Sequence, residues 1–219
     1  AYGKTHVIYT AKAWGEFGHL SDRTRFNAAY DSDEVRKASE TRAGRVLPPP
    51  PPPTGEYSVI YADPPWRYDH SATPDLRAIE NQYPTLGLEE IKALEVPATA
   101  DSVLFLWATN PKLAGALEVV DAWGFTYLTN MVWVKDKIGM GYWVRGKHEL
   151  LLIAKRGNPP LPSEKTLPPS VIEAPRLEHS AKPEEFYTVI EALYPGYSKI
   201  ELFARNKRDG WDSWGNEVS

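Results

Sequence analysis

From Tyr57 onward the sequence predicts an α/β domain, with a mostly parallel sheet and helices on both faces. Three observations predict it. Apolar runs of strand length alternate with segments of helical periodicity. One run, residues 102–109 (SVLFLWAT), is apolar throughout, as expected of a strand covered on both faces. The 219 residues, 42% of them hydrophobic, suffice for one globular domain with a sizeable core.

The elements follow in chain order. Residues 1–47 are polar and mixed in charge and form an extension of open role. One short helix is predicted there over DSDEVRKASETRAG, capped by Asp31 or Ser32 and ended by Gly44. Six consecutive prolines, 48–53, then favour a stiff polyproline II spacer, so residues 48–56 are assigned as a linker. A docking ligand for a proline-binding module is the lesser alternative. The main domain spans 57–219. It opens with the strand YSVIYA, and SVLFLWAT is the second strand. Residues 111–124 place Leu113, Leu117, Val120 and Trp123 at helical spacing and stop at Gly124. TYLTNMVWVK and HELLLIAKRG read as strands. KPEEFYTVIEALYPG reads as a helix with Pro183 at its first position and an apolar face of Phe186, Val189, Ile190 and Leu193. KIELFARN is the last predicted strand, on which Glu201, Phe203 and Arg205 share a face. No internal repeat is present.

The totals exclude several classes. A net charge of −4 and a pI of about 5.8 give no whole-protein attraction to nucleic acid, so such binding needs a local basic patch. Lys135, Lys137, Arg145, Lys147, Arg205, Lys207 and Arg208 are candidates for one, with ordinary solvated charge as the alternative. The absence of cysteine excludes disulfides, zinc-thiolate sites and Cys nucleophiles. His6, His19, His70, His148 and His179 show no metal-ligand spacing, so no metal is expected. No apolar run reaches membrane-spanning length and no signal-peptide pattern opens the chain. A soluble, cytoplasmic protein is therefore expected.

The sequence YADPPW carries the chemistry. In open α/β sheets ligands bind beyond the carboxyl ends of the strands, and Asp63 falls at such an end. Pro64 and Pro65 have fixed φ and no N–H, while their carbonyls remain acceptors. One carboxylate and rigid carbonyls beside the flat ring of Trp66 suit a planar group bearing an NH2. An aromatic amine is a poor nucleophile because its lone pair is delocalised. Two hydrogen bonds to its hydrogens favour a pyramidal nitrogen and aim the lone pair at an electrophile. Tyr68 and Tyr83 crowd the same region. The plain alternative is a proline turn with Asp63 as a cap.

An Asp-Pro-Pro-aromatic turn after a hydrophobic strand resembles the amino-adenine methyltransferases. The tryptophan form, together with YPTL at Tyr83, VLFLWATN at Val103, WGF at Trp123, WVK at Trp133, GYWVRGKHELLLIAKRG from Gly141, HSAKPEEFY from His179, KIELFAR from Lys199 and WDSWGNE from Trp211, resembles the MT-A-seventy-like family across residues 57–217. That family includes the catalytic subunit of the eukaryotic messenger-RNA adenosine methyltransferase and bacterial and phage DNA adenine methyltransferases. The resemblance implies a Rossmann-like methyltransferase fold with a circularly rearranged motif order and S-adenosylmethionine as methyl donor. The lack of a G-x-G-x-x-G turn agrees with it.

The resemblance also implies roles. Asp63 and the Pro64 carbonyl would hold the target amine, and Asp63 would also meet the donor's ammonium. Pro65 and Trp66 would shape the base pocket. Lys182 would take the donor's carboxylate, against a solvated lysine as the alternative. Glu201, Phe203, Arg205, Asn216 and Glu217 would line the cofactor site. Tyr68, Tyr83, Trp143, Arg145 and Glu149 would surround the target nucleotide, although Trp143 could equally be core, and Arg145 with Glu149 an ordinary ion pair. Loops 67–84 and 158–181 are expected to gate cofactor and substrate. Ahead of the YSVIYA strand the polyproline run stands where an acid would hold the cofactor adenine, which leaves that contact to backbone or to Asn216. Adenine-N6 methylation of DNA, in a bacterium or a phage-infected host, is the favoured function. RNA is the alternative substrate, and a non-catalytic nucleic-acid-binding scaffold subunit the alternative of another class. A homodimer or a partner subunit is an open possibility.

Overall fold

The computed structural model describes residues 54–67, 85–139, 143–177, 181–216 and 218. The helix predicted within 31–44, the prolines 48–53, Tyr68, Tyr83, His179 and Glu217 lie outside the described residues. The elements run β1 (Tyr57–Ala62), α1 (Leu88–Lys92), β2 (Ala98–Ala108), α2 (Leu113–Ala122), β3 (Thr126–Lys135), β4 (His148–Arg156), β5 (Val171–Ala174), α3 (Glu184–Leu193), β6 (Lys199–Leu202) and β7 (Asp212–Trp214).

The β-branched and aromatic runs become the strands of one sheet, ordered β5-β3-β4-β2-β1-β6-β7. β1 is parallel to both β2 and β6, β6 to β7 and β3 to β5; β4 alone runs antiparallel, to β2 and β3. Residues 136–147 carry no helical pattern, so the chain turns back there instead of crossing over. The predicted mostly parallel α/β sheet is therefore the observed one.

Period-2 alternation sorts the strands' side chains onto two faces. Ile60, Ala62, Leu104, Leu106, Leu152 and Ile200 pack with Ile91, Val119, Val120 and Trp123 from the α1 and α2 side. Val59, Tyr61, Val103, Phe105, Trp107, Met131 and Trp133 pack with Phe186, Ile190 and Leu193 of α3. Gly124 and Gly196, at φ 75°, end the two long helices as their sequence position suggests.

Four details differ from the sequence reading. Pro183 is the N-cap of α3, with ψ 143°, and not its first helical residue. Strand β6 stops at Leu202 because Phe203 turns left-handed at φ 63°. Glu201, Phe203 and Arg205 therefore do not alternate along one strand. β7 follows, so KIELFARN is not the last strand. Finally, the segment read as a loop at 158–181 contains β5, and α1 and β7 are too short for a periodic signal.

After the turn at Phe203, the Ala204 N–H donates to the Trp214 carbonyl (2.9 Å), and the Phe203 and Trp214 rings meet edge to face at 5.5 Å. Gly215 lets this crossing happen, since a Cβ there would strike the backbone of Ala204. Gly215→Ala is expected to cost about 1–3 kcal/mol by forcing the two segments apart. Urea unfolding of the purified chain measures it, and an unchanged midpoint would show that the crossing is slack.

Candidate active site

Asp63 is the first residue beyond β1, whose two neighbours, β2 and β6, are both parallel to it. The turn that follows is locked from both sides. The Trp66 N–H donates to the Pro64 carbonyl (2.8 Å), and the Leu86 N–H donates to the Pro65 carbonyl (2.9 Å). The Pro64 oxygen keeps one lone pair for another donor. Trp66 is only 6% exposed, lies in the apolar core, and donates its Nε1–H to the Trp107 carbonyl (3.2 Å). It anchors the turn and does not stand as an open wall.

Lys182, just ahead of the α3 N-cap, reaches Asp63. Its Nζ lies 2.8 Å from Asp63 Oδ2 and 3.4 Å from Glu149 Oε2, with its side chain 8% exposed. The reading of Lys182 as a solvated lysine is thereby excluded. The other oxygen of Glu149 accepts from Lys135 Nζ at 2.5 Å. Two acids and two lysines thus alternate in one sheltered row. Lys182 and Lys135 ride over the rings of Trp107 (5.2 Å) and Trp133 (4.6 Å), which pack edge to face. Burial disfavours the Lys182 charge, but Asp63 and Glu149 outweigh it and hold the ammonium above its usual value. Burial likewise works against the Glu149 charge, and Lys182 and Lys135 overcome it, keeping that carboxyl below its ordinary range. For Asp63 burial wins over Lys182, and the carboxyl is pushed up.

A cleft of about 210 Å³ opens beside this row, lined by Asp63, Lys182, Tyr187, Glu201, Phe203 and Arg205 among others. Tyr187 donates its hydroxyl to Glu201 Oε1 (2.9 Å), and Trp107 donates its Nε1–H to the Tyr61 hydroxyl (2.6 Å). Burial raises Glu201 to about 7, with the Tyr187 hydrogen bond opposing and Asp63 adding to the rise. The donor set fits S-adenosylmethionine. A carboxylate beside an ammonium matches the two ends of an amino acid, and a half-engaged carboxylate matches a diol. Sequence reasoning missed Tyr61, Trp107 and Tyr187 in this neighbourhood. They sit in apolar runs where an aromatic reads as core filler.

Of the other predicted residues, Asn216 is exposed. Trp143 is 98% exposed, so it is not core, and it shares the segment between β3 and β4 with exposed Lys137, Arg145 and Lys147. Lys135 and Arg208, read as phosphate contacts, are instead engaged with Glu149 and with Glu184 and Glu191. Among the described residues, no group of three or more His, Cys, Asp or Glu is placed to hold a metal ion, and no helix is long and apolar enough to cross a membrane.

The profile of the MT-A70 family matches residues 57–217, the span that holds the Asp63 turn, Lys182 and the cleft. The chain belongs to the MT-A70 family. It is 36% identical over 185 residues to the type II methyltransferase M.MunI of a Mycoplasma species, covering 76% of this chain and 79% of that one. It is 34% identical over 175 residues to the human N(6)-adenosine-methyltransferase catalytic subunit METTL3, and 32% over 176 to the Arabidopsis thaliana N(6)-adenosine-methyltransferase MT-A70-like. It spans only 28% and 24% of those two longer proteins. Membership makes the chain a methyltransferase of the adenine-N6 class.

Two outcomes follow from the electrostatics. Lys182→Met leaves Asp63 and Glu149 sheltered without their shared cation, at a cost of about 3 kcal/mol. The penalty is expected to be larger at pH 8 than at pH 5, because Asp63, already pushed up by burial and now without its counter-charge, takes up a proton as the pH falls. Urea titrations at both pH values check this, and an equal penalty would count against the shared role. For Glu201, the folded chain binds a proton that the unfolded chain releases between about 4.5 and about 7, so its contribution to stability falls as pH rises through that window. Glu201→Gln should flatten that part of the stability curve.

Proposed function

We propose that the chain transfers a methyl group from S-adenosylmethionine to the exocyclic N6 amine of adenine in DNA. The observation that carries this reading is the placement of the Asp63-Pro-Pro-Trp66 turn, through Lys182, on the rim of a cleft whose groups suit that donor. S-adenosylmethionine supplies a methyl group activated on a sulfonium. Asp63 and Lys182 hold its amino-acid end, Glu201 its ribose hydroxyls, and Phe203, Arg205, Asn216 and Glu217 complete the cofactor side.

The target amine donates one hydrogen to Asp63 and one to the Pro64 carbonyl. The locked prolines keep both acceptors from collapsing, so the nitrogen lone pair is oriented at no reorganisation cost. Asp63 Oδ2 is engaged by Lys182, which leaves Oδ1 for the amine and for the proton that the amine sheds. Its raised proton affinity suits that acceptance.

In a duplex the adenine must leave the stack before its amine can reach Asp63. Trp143 supplies an exposed stacking face, and Lys137, Arg145 and Lys147 of the same segment meet phosphates in this reading. Tyr68 and Tyr83 belong to the same proposed nucleotide pocket. DNA is favoured over RNA because M.MunI, a type II methyltransferase, is matched along most of its length, and the adenosine enzymes along about a quarter of theirs. RNA is the second reading, supported by those same adenosine enzymes.

The test is transfer of labelled methyl to DNA and RNA oligonucleotides, single and double stranded, with product nucleosides weighed. N6-methyldeoxyadenosine is expected, reduced at least about a hundredfold by Asp63→Ala. Ribonucleoside product alone would move the activity to RNA. Product that survives Asp63→Ala unchanged would overturn the assignment of the site. Trp143→Ala is expected to weaken oligonucleotide binding about tenfold, as loss of one stacking face does. Fluorescence anisotropy of a labelled oligonucleotide reads that change.

A further inference from the structure

Arg208 lies in the segment between β6 and β7 and lines the same cleft. Each nitrogen of its guanidinium donates to α3. Nη1 and Nη2 donate to the two oxygens of Glu184 at 2.8 and 2.6 Å, and Nε donates to Glu191 Oε1 at 2.8 Å. The plane also lies over the Tyr187 ring, 4.5 Å from its centroid. Glu184, Tyr187 and Glu191 occur three and four residues apart, so they share one face of the helix. Trp211 completes the fastening. Its Nε1–H donates to the same Glu191 oxygen (2.8 Å), and its ring meets Tyr187 edge to face at 5.8 Å.

The ring that Arg208 covers is the one whose hydroxyl holds Glu201 Oε1. Tyr187 is thus pressed between a cation on its face and a carboxylate at its tip. That arrangement fixes one oxygen of Glu201, a residue that lines the cleft. A bidentate fork is needed for this, because it sets both the position and the plane of the guanidinium.

We propose that Arg208 is a positioning residue for the methyl donor. Through Tyr187 it fixes the Glu201 carboxylate that receives the ribose hydroxyls, and through Glu184 it holds the cleft wall at the distance the ribose requires. The inference rests on the methyl-donor reading of the cleft and assigns to Arg208 a task other than contact with nucleic-acid phosphate.

The test is calorimetric binding of S-adenosylhomocysteine, and of its analogue lacking both ribose hydroxyls, to the full chain. Arg208→Ala is expected to weaken S-adenosylhomocysteine about tenfold, the cost of misplacing one charged hydrogen-bond partner. The dihydroxyl-free analogue should lose no affinity beyond what it already lacks in the wild-type chain. Arg208→Lys, which keeps the charge and loses the fork, should behave like Arg208→Ala. Glu184→Gln, at the helix surface, should weaken S-adenosylhomocysteine in the same selective way without unfolding the chain. Equal weakening of both ligands would mark Arg208 as merely structural and overturn the proposal, as would unchanged binding of the hydroxyl-bearing ligand. A wild-type chain that binds neither ligand would sink the methyl-donor reading itself and this inference with it.

Discussion

The site depends on one sheltered ion pair, Lys182 with Asp63. Alone, a carboxylate at that strand end would lack its ion-pair partner. Alone, the lysine would face the low-dielectric surface of Trp107. Each makes the other's charge tolerable, and Glu149 and Lys135 extend the compensation into a neutral row of four. Sheltered pairs of this kind contribute little net stability, because desolvation offsets their attraction. Their use is geometric. Lys182 ties the end of β1 to the start of α3, two parts of the chain more than a hundred residues apart, and so defines where the cleft begins.

The sheet provides the rigidity that this tie requires. β1 is an interior strand with a parallel partner on each side, so Asp63 emerges from a backbone that has little freedom to move. Two prolines and the anchored Trp66 carry that rigidity onward for one more turn. The opposite wall is built differently. There the chain leaves β6 through the left-handed Phe203, crosses itself at Gly215, and is held to α3 by side chains. One side of the cleft is set by backbone and the other by guanidinium, carboxylate and aromatic contacts.

Much of this was legible in the sequence, for identifiable reasons. The strands β1 to β4 and the helices α2 and α3 are long enough to show their period. The Asp-Pro-Pro-Trp turn announces itself because prolines leave few conformations. What was not legible depends on tertiary placement. Strand signal in KIELFARN continues past Leu202, yet the fold bends the chain there. β5 and β7 have four and three residues and gain their structure from a neighbouring edge. The partners of Lys182, Lys135 and Arg208 could not be read at all. A basic residue looks the same in sequence whether it faces phosphate, solvent or a buried carboxylate. Trp66 and Trp143 show the same ambiguity for aromatics, with the first found in the core and the second in water.

Two groups of charges in this protein differ in environment, and ionic strength acts on them unequally. The row from Asp63 to Lys135 is sheltered and sums to zero, so dissolved ions have little field to screen there. Lys137 and Lys147 are exposed on the segment between β3 and β4, where counterions compete directly for them. Salt therefore acts on the exposed group and leaves the sheltered row almost untouched. On the proposed function, it tunes how long the nucleic acid stays bound and leaves the methyl transfer as it was.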